Sequence, residues 1–446
     1  MIMEIFVKIL QFLFSLSILV FVHELGHFTM AKIFKVRVEK FYIFFNAWFE
    51  LFKFKRGDTE YGMGWIPLGG YVKISGMIDE SMDMEQMKEP PKPYEFRSKP
   101  AWQRLLIMIG GVVVNFIFAF FLYILILYTW GQSYLPAENA KYGVVADSIL
   151  LNAGVQNGDI ILALDDQKVD NFYSTITTIL LDAPKTMTLR RDGDTLKINL
   201  PATLQKELLA ESSKGFKRKD FLLPRNLYRG EISAFAKKSP AQEAGMLKED
   251  KILSIGGKGF TFYDEYVTLV KAHRDSVMEM RVLRGEDTLL IHVPIESDGM
   301  MGVLALAVDD FEYKVIDYTF IEAIPAGIHL GAEKINSYLK QFKLFKDPEA
   351  IRSLGGFGTI TSIFPGQWNW AEFWFLTALL SLILGIMNLL PIPALDGGHV
   401  LFLLYEMVTR RKPSDKFLER AQVVGMIFVL LLLLVANGND ILKFFS

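Results

Sequence analysis

The 446-residue sequence predicts a multi-pass α-helical membrane protein with four transmembrane helices, a small β region at the bilayer and two α+β modules outside it. Three observations carry this reading. Mean hydropathy is +0.26 with 51% apolar residues, yet 22% of residues are charged, which suits membrane helices joined to polar domains. Four apolar stretches, 1–34, 104–130, 372–409 and 417–437, approach or exceed the roughly 20 residues of helix that cross a hydrocarbon core. The long segment between the second and third stretches contains an internal repeat.

Basic residues give the orientation. Lys32, Lys35, Arg37 and Lys40 follow the first span, Arg97, Lys99 and Arg104 precede the second, and Arg410, Arg411 and Lys412 follow the third. With four spans, all three clusters fall on one side, the cytoplasm, and both termini and residues 131–370 fall on the other. The first span has no small-residue cleavage site after it and is expected to be retained. The net charge of −2 gives no argument for a nucleic-acid partner. With no cysteine, disulfides are excluded and any metal must be held by histidine and carboxylate.

The first span holds Phe21-Val22-His23-Glu24-Leu25-Gly26-His27-Phe28. Residues four apart share a helix face, so His23 and His27 can direct ring nitrogens at one zinc ion. Glu24 is placed to hold and deprotonate an attacking water. Two histidines and a glutamate are costly in hydrocarbon, which argues that they function.

Residues 35–78 read as a membrane-associated β region. Phe41–Phe45 and Trp48–Phe54 are strand-like, Lys55–Asp58 has turn chemistry, and Glu60 to Lys73 reads as a glycine-rich strand pair. An open strand edge beside a protease centre would offer a substrate a ladder to join. Residues 79–103 read as a cytoplasmic linker rich in proline, methionine and charge.

In the external segment, Ala153-Gly154-Val155-Gln156-Asn157-Gly158-Asp159 matches Ala244-Gly245-Met246-Leu247-Lys248-Glu249-Asp250, and an alternating apolar strand follows each. Leu189-Arg190-Arg191-Asp192-Gly193-Asp194-Thr195 is echoed by Leu283-Arg284-Gly285-Glu286-Asp287-Thr288, and both read as hairpins. Ser239 to Asp250 resembles bacterial PDZ domains, so two PDZ-like modules are expected at 133–205 and 226–306, with ligands that the residues do not identify. Residues 318–346 carry apolar residues at helical spacing, as in an amphipathic helix on the membrane surface or one packed on a neighbour. Gly355–Gly366 reads as loop.

The third span is interrupted at Asn388-Leu389-Leu390-Pro391-Ile392-Pro393, followed by Leu395-Asp396-Gly397-Gly398-His399. The prolines end regular helix. Asp396 is expected as the third zinc ligand; the N-cap of the following half-helix is the alternative, and different oxygens of one carboxylate could hold both roles. His399 is a rival ligand or, as preferred, a residue supporting the ligands from behind.

These motifs, with Ile66-Pro67-Leu68-Gly69-Gly70-Tyr71-Val72-Lys73 and Gly111-Val112-Val113-Val114-Asn115, resemble the site-2 intramembrane metalloproteases, in the branch of the regulator of sigma-E protease. The resemblance implies zinc on His23, His27 and Asp396 with Glu24 as catalytic base. It implies that Asn388, Pro391 and Pro393 shape the loop that receives an unwound substrate, that Gly69 and Gly70 belong to a membrane-reentrant β-loop, and that Asn115 lies near the site. Val112 stands where that pattern usually has proline. The implied activity is cleavage of single-pass membrane proteins after a prior cut, an anti-sigma factor or leftover signal peptides among them, in a bacterial inner membrane. The implied active site lies toward the cytoplasm, with the PDZ pair outside. The rival expectation is a non-proteolytic PDZ-bearing membrane scaffold whose zinc is structural.

Overall fold

The computed structural model describes residues 2–67, 69–77, 89–212, 214, 220–297, 299–308, 310–346, 351 and 354–445. Leu68, Ser353 and the linker stretch 78–88 lie outside them. The chain divides into two compact units. One is Met1–Gln132 with Ser212–Arg218 and Ile316–Ser446, and the other is Ser133–Glu211 with Lys219–Val315.

The first unit contains the helices α1 (Ile2–Ile33), α2 (Ala101–Trp130), α3 (Phe320–Gln341), α4 (Trp370–Leu389), α5 (Asp396–Thr409) and α6 (Asp415–Phe445). Of these α1, α2, α4 and α6 are long and apolar enough to cross a membrane. Ile117 on α2 and Leu434 on α6 are 61% and 69% exposed, a cost in water that vanishes among lipid tails. The chain is a membrane protein built around these four helices. α2 starts directly after Pro100 and ends at Gly131, whose φ of 65° is a left-handed stop. With valine at 112, α2 runs on without a break.

α1 and α2 meet backbone to backbone. A Cβ on Gly26 would stand 2.7 Å from the Gly111 Cα, and one on Gly110 would stand 2.9 Å from the Gly26 carbonyl oxygen. Small residues allow such an approach, and it fixes α1 against α2 without intervening side chains. The start of α2 is tied to α5 by a 2.5 Å hydrogen bond that the Arg104 guanidinium donates to Glu406.

Between α1 and α2 the chain forms a four-stranded sheet, β1 (Val38–Ile43), β2 (Phe52–Arg56), β3 (Thr59–Met63) and β4 (Tyr71–Ile74), in the order β2-β3-β1-β4. β1 runs parallel to β3 and antiparallel to β4, so the two strands expected to pair with each other both pair with β1. Trp48 to Leu51 is not strand: Phe44 and Trp48 adopt φ of 70°, which turns the chain out of extended geometry. β2 and β4 are the edges. The end of the linker is docked, with Phe96 buried in a core shared with Ile107, Met108, Val38 and Ile74.

α3 packs on α2. A Cβ on Gly327 would lie 2.7 Å from the Ile124 backbone nitrogen, and one on Gly331 would lie 2.6 Å from Phe120 Cδ1. Ile321 and Ile328 stay exposed on its other side. The third span is split into α4 and α5 by Leu390–Leu395. Residues 357–362, expected as loop, form a short helix. Its first N–H groups are capped from α6: Asn437 Oδ1 accepts from Phe357, and Asp440 Oδ2 accepts from Thr359.

The second unit has two hydrophobic cores. The first gathers Leu135 to Leu200 and continues with Leu204, Leu208, Phe221 and Leu222, because the helix Leu204–Ser212 and the strand Leu222–Pro224 fold back on it. The second is centred on Ile232, Ile252, Met280 and Val293. The repeat holds at atomic detail. Asp159 is 1% exposed, accepts from the Gln156 N–H at 2.7 Å and takes two hydrogen bonds from Arg191, whose Nη2 also donates to the Gly154 carbonyl. Asp250, equally buried, does the same with Leu247, Arg284 and Gly245. Arg225, between the cores, donates to Asp264 and Glu265 and stacks its guanidinium 3.8 Å over the Phe262 ring.

Burial pushes the Asp250 carboxyl up, but the Arg284 guanidinium and the Leu247 N–H outweigh it and hold the group below its ordinary value. Because the folded value is depressed, this stabilisation is present above about pH 4 and is lost as pH falls below it. Arg284 is 36% exposed, so removing it leaves a buried carboxylate without its partner at a place that solvent still partly screens. Arg284→Met is therefore expected to speed hydrogen exchange of strand Lys251–Ile255 by roughly 10-fold at neutral pH while Ile160–Leu164 exchanges as before. Unchanged exchange in both strands would show that the pair is not stabilising.

Candidate metal centre

His23 and His27 project from consecutive turns of α1, and the fold of the third span brings Asp396 to them. The two Nε2 atoms are 3.2 Å apart, and Asp396 Oδ2 lies 3.2 Å from that of His23 and 3.3 Å from that of His27. Nitrogen and oxygen ligands held at about 2.0–2.2 Å around a tetrahedral ion stand roughly 3.3–3.6 Å apart. The triangle therefore has the size that zinc requires. Asp396 Oδ2 is buried with no hydrogen-bond donor, a state that a bound cation relieves. These three residues are the group that could hold a metal among the described residues.

Both histidines are oriented from behind. His27 Nδ1 lies 2.9 Å from the Ile107 carbonyl, so it donates there and leaves Nε2 free for a metal. His23 Nδ1 lies 3.1 Å from the side-chain amide of Asn115, which is fully buried. The Asn388 amide, near the end of α4, is 3.3 Å from His23 Nε2. Gly111 is needed at the crossing, since a Cβ there would lie 2.5 Å from His27 Nε2 and 2.9 Å from His23 Nδ1.

Asp396 is the first residue of α5. Leu395 is the N-cap and makes no capping bond, so capping is not what Asp396 does. Gly397 and Gly398 are required by the tight return of the chain: a Cβ on Gly398 would stand 2.6 Å from the Ile392 carbonyl oxygen.

The centre opens into a cavity of about 700 Å³. Glu24 lines it together with Tyr71, Val72 and Lys73 of β4, which brings the sheet edge to the metal ligands. Gly69, Gly70, Asn388 and His399 also line it. A Cβ on Gly70 would stand 2.7 Å from the Tyr42 carbonyl oxygen, so this loop passes tightly over β1. His399 lies outside the ligand triangle. Pro391 and Pro393 shape the loop, while Ala394 and Leu395 supply its cavity wall. Among the lining residues that the sequence reading did not single out is Gln422. A polar residue early in an apolar span was the available signal for Gln422.

A metal-sized triangle of histidines and carboxylate, with a glutamate beside it and inside membrane helices, defines a membrane-embedded metalloprotease. Comparison with known proteins agrees. The model of Peptidase family M50 matches residues 11–432, and the chain belongs to that family. It is 27% identical to the regulator of sigma E protease of Haemophilus influenzae, over 97% of this chain and 98% of that one. It is 29% identical to the regulator of sigma-E protease RseP of Salmonella typhimurium, over 96% and 97%. A Neisseria meningitidis protein whose name includes the words zinc metalloprotease is 29% identical, over 98% and 99%.

Proposed function

We propose that this metalloprotease is a zinc endopeptidase that cuts single-pass membrane proteins within or near their bilayer segment, after another protease has shortened them. The observation that carries the reading is the ligand triangle of 3.2, 3.2 and 3.3 Å with Glu24 on the same cavity. His23, His27 and Asp396 hold the zinc. Zinc held by these residues would supply Lewis acidity to the scissile carbonyl. Glu24 takes the proton of the attacking water and delivers it to the leaving amine. The substrate lies extended along the free edge of β4, past Gly69 and Gly70, where main-chain hydrogen bonds hold it without regard to side chain. Asn388 and the loop bent by Pro391 and Pro393 receive the unwound segment. Asn115 keeps His23 in the ring orientation that binding requires.

The PDZ-like pair stands outside the cytoplasmic membrane and screens substrates by size, and the active site lies toward the cytoplasm. Two of the relatives are named as regulators of sigma E, and the substrate we infer from that link is a membrane anti-sigma factor, with leftover signal peptides as a second class. A purely structural zinc would be closed by four protein ligands, whereas the cluster among the described residues has three.

Metal removal tests this reading. Purified protein in detergent is expected to cut a single-pass model substrate, to stop after dialysis against a chelator, and to recover on adding one equivalent of zinc. Protein that binds zinc yet cuts none of several substrates would sink the proteolytic reading in favour of the scaffold.

A further inference from the structure

Gln422 lies in the first turns of α6 and is 7% exposed. It lines the catalytic cavity with Ala394, Leu395, Asp396 and His399. Among the described residues nothing pairs with its carboxamide. α6 is held there by Gly425, three residues on and on the same face, where the Pro393 carbonyl leaves no room for a Cβ. Gln422 is thus pinned against the Leu390–Leu395 loop at the cavity wall. A carboxamide on the wall of a cavity at membrane depth, with no protein group to pair with, is a costly choice unless something that enters the cavity meets it. Packing does not explain it, since an apolar side chain of equal length would fill the same space.

A substrate strand explains it. A strand added to β4 satisfies its backbone groups on one edge only. Within a membrane the groups on the other edge cannot count on bulk water and must be met by protein. A carboxamide carries both a donor and an acceptor, the complement of a peptide unit. We propose that Gln422 binds the main chain of the extended substrate from the α6 side, donating to a carbonyl and accepting from an N–H. This rests on the proteolytic reading above and adds a backbone-reading residue to that site.

The test uses the full-length zinc-loaded protein and a single-pass model substrate. Gln422→Met keeps the length of the side chain and removes its hydrogen bonds. It is expected to lower kcat/KM about 10-fold or more, the scale of leaving a substrate polar group unpaired, with zinc content unchanged. Because the amide has no partner in the free protein, the melting temperature should hold or rise. Substrates in which the backbone amides near the cut are replaced one at a time by esters add a second reading. At one position the ester should slow the wild type but not Gln422→Met.

A Gln422→Met enzyme within twofold of wild type overturns the proposal. So does a loss of cleavage that comes with lost zinc or a lower melting temperature, which would make Gln422 structural. Equal slowing of both enzymes by every ester overturns it too. A wild type that cuts no substrate removes the proteolytic reading itself, and is recognised without any variant.

Discussion

Glu24→Gln is expected to abolish cleavage, by at least about 1,000-fold in kcat, with zinc bound as in wild type. The expectation rests on the division of labour in the α1 helix. The two histidines and Asp396 close the ligand triangle without Glu24, so replacing its carboxylate leaves the metal set intact. Glutamine has nearly the same volume and the same place on the cavity wall. What it lacks is a basic oxygen able to take a proton from water and pass it to the departing nitrogen. Single-turnover cleavage with metal analysis on both proteins decides the matter. Cutting by Glu24→Gln at more than a tenth of the wild-type rate would move the base to another cavity residue, His399 first.

The second large effect belongs to a residue with no side chain. Gly111→Ala places a methyl group 2.5 Å from His27 Nε2 and 2.8 Å from His23 Cε1, closer than carbon and nitrogen can stand. Neither the rings nor the backbone can give way cheaply, because α1 and α2 already touch through Gly26 and Gly110. The rings must turn out of the triangle. Disturbing residues that merely orient metal ligands costs 10–100-fold in affinity, so a direct collision is expected to weaken zinc binding by at least about 100-fold and to abolish cleavage. Gly438→Ala is the matched control, since nothing lies within 4 Å of a Cβ there, and helix α6 should be unaffected or slightly firmer. Titration with a competing zinc chelator measures both. Wild-type affinity in Gly111→Ala would mean that the crossing is looser than described.

Much of this was legible in the sequence, and what was not has physical causes. The spacing of His23 and His27 announces a shared helix face by periodicity alone. Asp396 stands out because a charge in an apolar span needs a partner. The spans are set by length and composition, which need no tertiary information. The β region was legible only in part, since the turn at Phe44 and Trp48 requires left-handed backbone that aromatic residues do not advertise. The helix at 357–362 was hidden because its caps, Asn437 and Asp440, are supplied by a distant helix. The closure of the first core by Phe221 and Leu222 was hidden likewise, as the chain leaves and returns. Around the centre, the ligands could be named from local pattern. The Ile107 carbonyl behind His27 and the Pro393 carbonyl against Gly425 could not, because backbone groups carry no sequence signature.

The brevity of β4 limits how selective such an enzyme can be. Four residues of strand extend about 13 Å and present only about two side chains of a paired segment to each face. That is too little information to single out one protein among the many that cross a membrane. Cleavage sites in different targets should therefore share almost no consensus, and choice must be exercised before the strand is laid down. On the function proposed above, what is selected is a helix that can be delivered and undone, and the catalytic groove then cuts whatever arrives.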